Sequence, residues 1–150
     1  MTETVTLAPV VKSVHVGCGA EEAFEVFTRE IGSWWPLDQL ALHPGEVREV
    51  VFEEREGGEV YETSNGGERS HWATVLAWEP PTSFTIAWKV DPDAVAPTEV
   101  EVRFTPDGDG TRVVLEHRHW ERLGAGAAEA RAGYDGGWEM VLGRYAERLA

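Results

Sequence analysis

Cysteine is almost absent from the sequence, since Cys18 is the only one among 150 residues. A single thiol excludes an internal disulfide and is typical of a reducing compartment. Residues 1–5 also lack the basic start and apolar stretch of a signal peptide, so we expect a cytoplasmic protein. Cys18 lies between two glycines with no histidine at a catalytic spacing, which favours a packed thiol over a nucleophile.

Positive charge and long apolar runs are also scarce. Lysine and arginine total 13 against 27 acidic residues, which gives a formal net charge of −14. Such a chain repels phosphate backbones and anionic lipid, so neither nucleic acid nor a membrane is expected as a partner. No apolar run approaches the roughly 20 residues that span a bilayer. With 42% apolar residues, the sequence predicts one globular domain over residues 1–150, with its core at about 10–149.

Catalytic and metal-binding motifs are missing as well. The sequence has no G-x-S-x-G, no H-E-x-x-H, no phosphate-binding loop and no dinucleotide fingerprint. His117 and His119 form an i, i+2 pair, but zinc needs three or four ligands and no third is evident. We therefore predict no catalytic residue, no cofactor and no metal, and a non-enzymatic role in preference to an enzyme. His117 is either a structural histidine or a functional one, which contacts a ligand or acts as an acid or base.

Tryptophan is present in excess, at seven residues. Any one of them could be ordinary core, but each indole is large and carries an N–H that needs a partner. A cavity with aromatic walls and a few polar groups is the usual form of a small-molecule site. The candidate ligand-binding residues are Trp34, Trp35, Trp72, Trp88, His117, Tyr134 and Trp138.

The spacing of apolar residues predicts an α+β fold. No connection is long enough for a parallel crossover, and turn residues separate the later strands, as at 92–97. We therefore predict a curved antiparallel sheet of about seven strands that grips a long C-terminal helix, with a cavity between sheet and helix. The predicted strands are 10–16, 46–54, 58–64, 69–79, 82–90, 98–105 and 110–119, and the predicted helices are 20–31 and 127–149.

Alternation along strand 110–119 decides where its histidines point. Val113 and Leu115 are the residues that must face inward, and a period of two places His117 on the same face. The same period places His119 there too. A buried imidazole needs a hydrogen-bond partner, and Tyr134 is the candidate.

Two features leave alternatives open. Strand 69–79 is apolar on both faces, so a shift of register would exchange the sides on which Trp72 and Trp78 lie. Gly133, Gly136 and Gly137 interrupt the last helix. They indicate either a break between two helical pieces, or missing side chains that let the helix approach the sheet or leave room for a ligand.

An ordered set of strings carries a family resemblance. The sequence resembles the SRPBCC superfamily of START-like, helix-grip domains over residues 10–149, and within it the branch named for the C-terminal domain of the activator of Hsp90 ATPase. The strings are AFEVFT at 23–28, IGSWWP at 31–36, WEPP at 78–81, TEVEVRF at 98–104, GTRVVLEH at 110–117, and Gly137-Trp138 with Leu142 and Tyr145.

The resemblance implies a deep cavity between the sheet and the long helix. It implies that the loop at 34–36 lies at the cavity mouth, while Ala73 and His119 stand where glycine is common, so the rim is expected to differ. Relatives bind lipids, hormones or polyketide intermediates; some are cyclases or aromatases, and others regulate a chaperone.

We expect a binding module for a hydrophobic or aromatic small molecule held in that cavity. One alternative is a co-chaperone or other protein-interaction domain. Another is a cyclase- or aromatase-like enzyme that uses the cavity histidine and tyrosine. A homodimer and a chaperone partner are both compatible with the sequence. A large cavity would favour the small-molecule functions, whereas a filled interior with a continuous exposed apolar patch would favour protein interaction.

Overall fold

The computed structural model describes residues 7–90 and 96–150 and confirms the helix-grip architecture. Residues 91–95, which hold most of the predicted turn at 92–97, lie outside the described residues. The described strands are β1 (Val10–Val16), β2 (Val47–Phe52), β3 (Glu59–Ser64), β4 (Arg69–Glu79), β5 (Ser83–Trp88), β6 (Thr98–Asp107) and β7 (Gly110–Arg118). The helices are α1 (Ala20–Thr28) and α2 (Ala127–Arg148), with 3-10 helices at Ile31–Ser33 and Trp120–Gly126.

The strands form one antiparallel sheet in the order β1-β7-β6-β5-β4-β3-β2. Each of β2 to β6 pairs with the next strand in sequence, and β1 returns to pair with β7. Short turns suffice for such neighbours, which is why the sequence shows turn residues rather than crossover helices there. α2 covers the inner face of the sheet, where it buries Trp138, Val141, Leu142 and Tyr145.

Two irregularities in β4 explain why its sequence is apolar on both faces. The pairing with β3 shifts between Val60 and Tyr61, and the pairing with β5 shifts between Val75 and Ala77. An extra residue in one strand lets consecutive side chains lie on one side of the sheet. Trp72 and Ala73 are both buried as a result, with 2% and 0% of their surface exposed.

Helix α1 is shorter than predicted. The apolar spacing suggested a helix to residue 31, but α1 ends at Thr28, whose hydroxyl donates to the Phe24 carbonyl at 2.8 Å. Ile31 is buried from the following 3-10 helix instead. A tighter helical turn can keep an apolar residue on the same stripe, so the stripe outlasts the α-helix.

At the C-terminal part of the chain, the structure excludes one of the interpretations of the glycines and contradicts one expectation. α2 is continuous through Gly133, Gly136 and Gly137, so the glycines do not break it. His119 does not follow His117 onto the core face, because β7 ends at Arg118 and His119 takes a left-handed conformation with φ of 70°. None of the helices within 7–90 and 96–150 is long and apolar enough to cross a membrane.

Candidate ligand-binding site

A cavity of about 450 Å³ lies between α2, β4, β5 and the loop that follows the first 3-10 helix. Residues 39–43 of that loop, which we name the mouth segment, cover part of it. Besides the indoles, the uncharged polar side chains of its wall are those of Gln39 and Tyr134. Its lining residues are Trp35, Gln39, Leu40, Ala41, Leu42, Trp72, Trp88, Val90, Ala130, Gly133, Tyr134, Gly137, Trp138 and Val141.

The four indoles of the wall form a connected set. Trp35 lies 4.9 Å from Trp72 and 5.8 Å from Trp138, between ring centroids. Trp88 lies 6.0 Å from Trp72 and 5.5 Å from Trp138. Rings at these separations support one another through tilted and edge contacts. These contacts hold the rings of the wall in place, although one side of the wall faces the cavity.

Hydrogen bonds at the mouth fix two of these rings. The Trp35 indole donates to the Leu40 carbonyl at 2.7 Å, which ties the ring to the mouth segment. The Trp72 indole donates to Oε1 of Glu62 at 2.8 Å. An indole has a single donor, so neither N–H is left for a bound molecule.

The other two rings are fixed at the helix. The Trp88 indole donates to the Tyr134 hydroxyl at 2.8 Å, which joins β5 to α2. The Trp138 indole donates to Nδ1 of His117 at 2.9 Å. All four wall indoles thus donate their N–H groups to other protein atoms. What they offer to the cavity is aromatic surface.

His117 lies inside the protein as predicted, with none of its surface exposed. Because Nδ1 accepts from Trp138, we assign the proton to Nε2, which donates to the Thr98 hydroxyl at 2.7 Å. Burial lowers the pKa of His117 to about 3, so the ring is neutral. The predicted partner, Tyr134, instead contacts the imidazole ring at 4.9 Å between centroids.

Five of the seven candidate residues line the cavity, and two stand behind its wall. His117 is one of the two, with both ring nitrogens occupied. Trp34 is the other: its indole donates to the Val26 carbonyl at 2.8 Å, and its ring packs on Phe27 and Tyr145. Trp34 therefore packs in the core behind the wall, whereas its neighbour Trp35 lines the cavity. The binding role of all seven stays a prediction.

Part of the wall that helix α2 contributes carries almost no side chains. Gly133 and Gly137 line the cavity one turn apart, and Ala130 extends the same face. A Cβ atom added at either glycine would meet nothing within 4 Å. Of the interpretations of these glycines, the structure favours room in the cavity over close approach of helix and sheet.

Glu62 is the residue that sequence reasoning missed. It lies on β3 with 0% of its surface exposed, and its carboxylate accepts from Leu42 N–H at 2.6 Å and His43 N–H at 3.0 Å as well as from Trp72. A signal was present, because a period of two puts residue 62 on the same face as the apolar Val60. A buried acid was simply not expected there.

The wall carries little that could act as a metal or cofactor ligand. None of the described residues that line the cavity is charged. Within 7–90 and 96–150, no group of three or more His, Cys, Asp or Glu residues could hold a metal ion. His119 is directed to the surface, where it lies 3.5 Å from Glu99 and 3.4 Å from Glu121.

Known structures share this architecture along nearly the whole chain. An anthrahydroquino-gamma-pyrone synthase, Txn09, is 34% identical, with 95% of this chain and 97% of that chain covered and a TM-score of 0.64. The self-sacrificing resistance protein CalC from Micromonospora echinospora is 28% identical, with 95% and 94% covered and a TM-score of 0.69.

A more distant likeness concerns the fold alone. The Aha1 dimer from Colwellia psychrerythraea is 15% identical, with 95% of this chain and 96% of that chain covered and a TM-score of 0.65. No curated protein matches the chain in sequence. Residues 18–150 match the family described as activator of Hsp90 ATPase homolog 1-like protein, which confirms the resemblance drawn from the sequence, and the chain belongs to that family.

Proposed function

We propose that the protein binds an uncharged, flat aromatic small molecule in the tryptophan-lined cavity. The observation that carries this proposal is the wall itself: four indoles and one tyrosine surround about 450 Å³. That volume lies within the range of sites for small organic molecules. Flat aromatic molecules gain the most from such a wall, because offset stacking and edge contacts add to the burial of apolar surface.

The hydrogen bonds of the wall support an uncharged ligand. With the four indole N–H groups bonded to protein atoms, recognition rests on ring faces and on the polar side chain of Gln39. An ionised group would lose its hydration there without a charged partner among the described lining residues. The formal charge of −14 further disfavours an anion.

The similar proteins support an aromatic ligand. The protein with 34% identity is described as an anthrahydroquino-gamma-pyrone synthase, a name that denotes fused aromatic rings. The protein with 28% identity is described as a resistance protein instead. Relatives at this level therefore include both a synthase and a protein with another role, which fits a shared cavity better than a shared reaction.

A cyclase-like reaction on the same class of molecule is the second candidate, favoured by the synthase among the similar structures. Its chemistry here would rest on the Tyr134 hydroxyl, which borders the cavity. His117 is less suited to acid–base work, because it is neutral and both its nitrogens are engaged. Turnover of an anthrahydroquinone substrate that is lost in Tyr134→Phe and kept in His117→Asn would support this candidate.

A protein-interaction role has less support. The exposed large apolar side chains among the described residues are Val11 on β1, Leu42 in the mouth segment, Leu76 on β4 and Met140 on α2. Scattered apolar residues are normal for a protein surface. A chaperone partner, a homodimer and a cytoplasmic location stay predictions.

Calorimetric titration with two matched molecules tests the proposal. We expect 1,8-dihydroxyanthraquinone to bind saturably at one site and anthraquinone-2-sulfonate to bind at least tenfold more weakly. Trp88→Ala should raise the Kd for the uncharged molecule at least tenfold. Trp78→Phe is the control, because Trp78 packs on Phe24 and Phe52, away from the cavity. Equal affinity for both molecules, or equal effects of both variants, would contradict the proposal.

A further inference from the structure

The mouth segment is attached to the rest of the protein in an unusual way. Its residues Leu40, Ala41 and Leu42 border the cavity, so its position decides how open the cavity is. Within the described residues, the backbone hydrogen bonds made by 37–45 stay inside 35–46. None of them reaches a strand of the sheet. The segment is therefore held to the sheet by side chains rather than by a backbone ladder.

Glu62 supplies the central attachment. Its two carboxylate oxygens accept from the successive N–H groups of Leu42 and His43, at 2.6 Å and 3.0 Å. The His43 ring adds a contact of 3.2 Å to the Ser70 hydroxyl, and the Trp35 indole holds the Leu40 carbonyl.

The same carboxylate links the mouth to the aromatic wall. Oε1 of Glu62 accepts from both Leu42 N–H and the Trp72 indole. With the mouth segment in place, the Glu62 side chain is completely buried. Lifting the segment would let water reach the carboxylate and the freed N–H groups together. Water would then replace the protein partners of these groups, so opening carries a small penalty relative to unfolding.

We propose that the mouth segment is a lid over the cavity and that Glu62 is the positioning residue that holds it closed. In the closed state the carboxylate accepts hydrogen bonds from Leu42 and His43. A ligand enters when water replaces the protein partners in these two bonds. Ligand entry through the lid rests on the proposed binding function. Opening of the lid does not, because it can be measured without a ligand.

Hydrogen exchange in the unaltered protein is the first test. If the segment opens as a lid, the amides of Leu42 and His43 exchange through a local event that exposes little surface, so low concentrations of urea should not change their rates. The amide of Val102, buried in β6, should exchange only through larger opening that urea promotes. Urea sensitivity at Leu42 and His43 equal to that of Val102 would overturn the lid.

The variant Glu62→Gln is the second test. A glutamine keeps the shape but brings an NH₂ group against one of the two N–H donors, so exchange at Leu42 and His43 should accelerate at least tenfold while Val102 is unchanged. Glu59→Gln is the matched control on the same strand, since Glu59 pairs with His71 and Arg69. Uniform acceleration across the sheet would mean that Glu62 is merely structural and would overturn its role as the positioning residue.

Binding kinetics separate the lid from the binding function. In stopped-flow measurements, 1,8-dihydroxyanthraquinone should associate at least threefold faster with Glu62→Gln than with Glu59→Gln. An unchanged association rate together with faster exchange would overturn the role of the lid in ligand entry. A complete lack of binding to the unaltered protein would contradict the binding function, and the exchange experiments would still decide whether the lid exists.

Discussion

The two ends of the core are built from the same sheet, but aromatic rings pack against one another at one end and surround a cavity at the other. At one end, all five phenylalanines of the chain meet, with ring centroids 5.1 to 6.2 Å apart between contacting pairs. At the other end, which we name the open end, four tryptophans surround a cavity. β5 contributes to both, through Phe84 at its start and Trp88 at its last residue. The difference therefore lies in the side chains and not in the strands that carry them.

The indole N–H explains how a large ring can border empty space. A phenylalanine is held only by packing, so a ring beside a void loses contacts on that side. Trp35, Trp72, Trp88 and Trp138 each have a hydrogen bond that holds the ring from behind. The partners of these bonds come from the mouth, from β3, from α2 and from β7. The open end therefore depends on polar anchors, whereas the phenylalanine end depends on close packing.

Removing a ring from the phenylalanine end should have the largest effect on the free energy of unfolding. Phe84 contacts Phe24, Phe27, Phe52 and Phe104, so Phe84→Ala leaves a cavity in the packed cluster. We expect a loss of about 3–5 kcal/mol in the free energy of unfolding, measured by urea denaturation.

The matched change at the open end is Trp88→Phe, four residues along β5. It removes the bond to Tyr134 and keeps an aromatic ring, so we expect a loss of about 1–2 kcal/mol. Affinity for 1,8-dihydroxyanthraquinone should fall in Trp88→Phe and stay within twofold in Phe84→Ala. If Phe84→Ala weakened binding as much, the two ends would not be independent.

Acid should lower the free energy of unfolding through His117, which lies behind the wall of the open end. Its pKa is lowered by burial to about 3 in the folded protein, whereas an unfolded histidine titrates near 6.5. The unfolded chain therefore binds a proton first as pH falls, so the stabilising effect of the neutral ring is complete above about 6.5 and declines toward 3. Between pH 6.5 and 5 we expect a loss of about 1.5 kcal/mol in the free energy of unfolding.

His117→Phe is the variant that isolates this effect. It removes the titrating group, so the pH dependence between 6.5 and 5 should flatten relative to the unaltered protein. It also leaves the Trp138 indole without its acceptor, so stability at pH 7 should fall by about 1–3 kcal/mol. Urea denaturation at several pH values measures both. An unchanged slope would show that another group is responsible for the acid sensitivity.

Much of the fold follows from residue patterns. Alternation in β7 predicts the buried face that carries His117, and the confirmed sheet and long helix follow from turn residues between short strands. The prediction fails where the backbone leaves its regular period. His119 lies beyond the end of β7 in a left-handed conformation, and Trp72 lies at an irregularity of β4, so period-two counting cannot place either.

The site was less predictable than the fold. An excess of tryptophan indicates a cavity, yet it cannot say which indoles line it, and Trp34 lies behind the wall although its neighbour Trp35 lies in it. The period of two places Glu62 on the buried face, but it does not show its partners, because Leu42 and His43 belong to a distant irregular segment. Contacts between a strand and a loop leave no periodic signal in a sequence.

The glycines of α2 allow the smallest and most selective change to the open end. Gly137 faces the cavity, and Gly136 beside it does not. A Cβ atom at either position meets nothing within 4 Å, so alanine fits both without displacing a neighbour. Alanine is favoured over glycine inside a helix, and each variant should gain about 1 kcal/mol in the free energy of unfolding.

Ligand affinity should then separate the two glycines. The methyl group of Gly137→Ala enters the space that a flat molecule would occupy against the helix, so the Kd for 1,8-dihydroxyanthraquinone should rise several-fold. Gly136→Ala should leave the Kd unchanged while it stabilises the helix equally. Calorimetric titration and urea denaturation of both variants give the two quantities. A stabilised Gly137→Ala variant with unaltered affinity would show that the ligand does not lie on the helix, and the bare backbone at this end would then need another explanation.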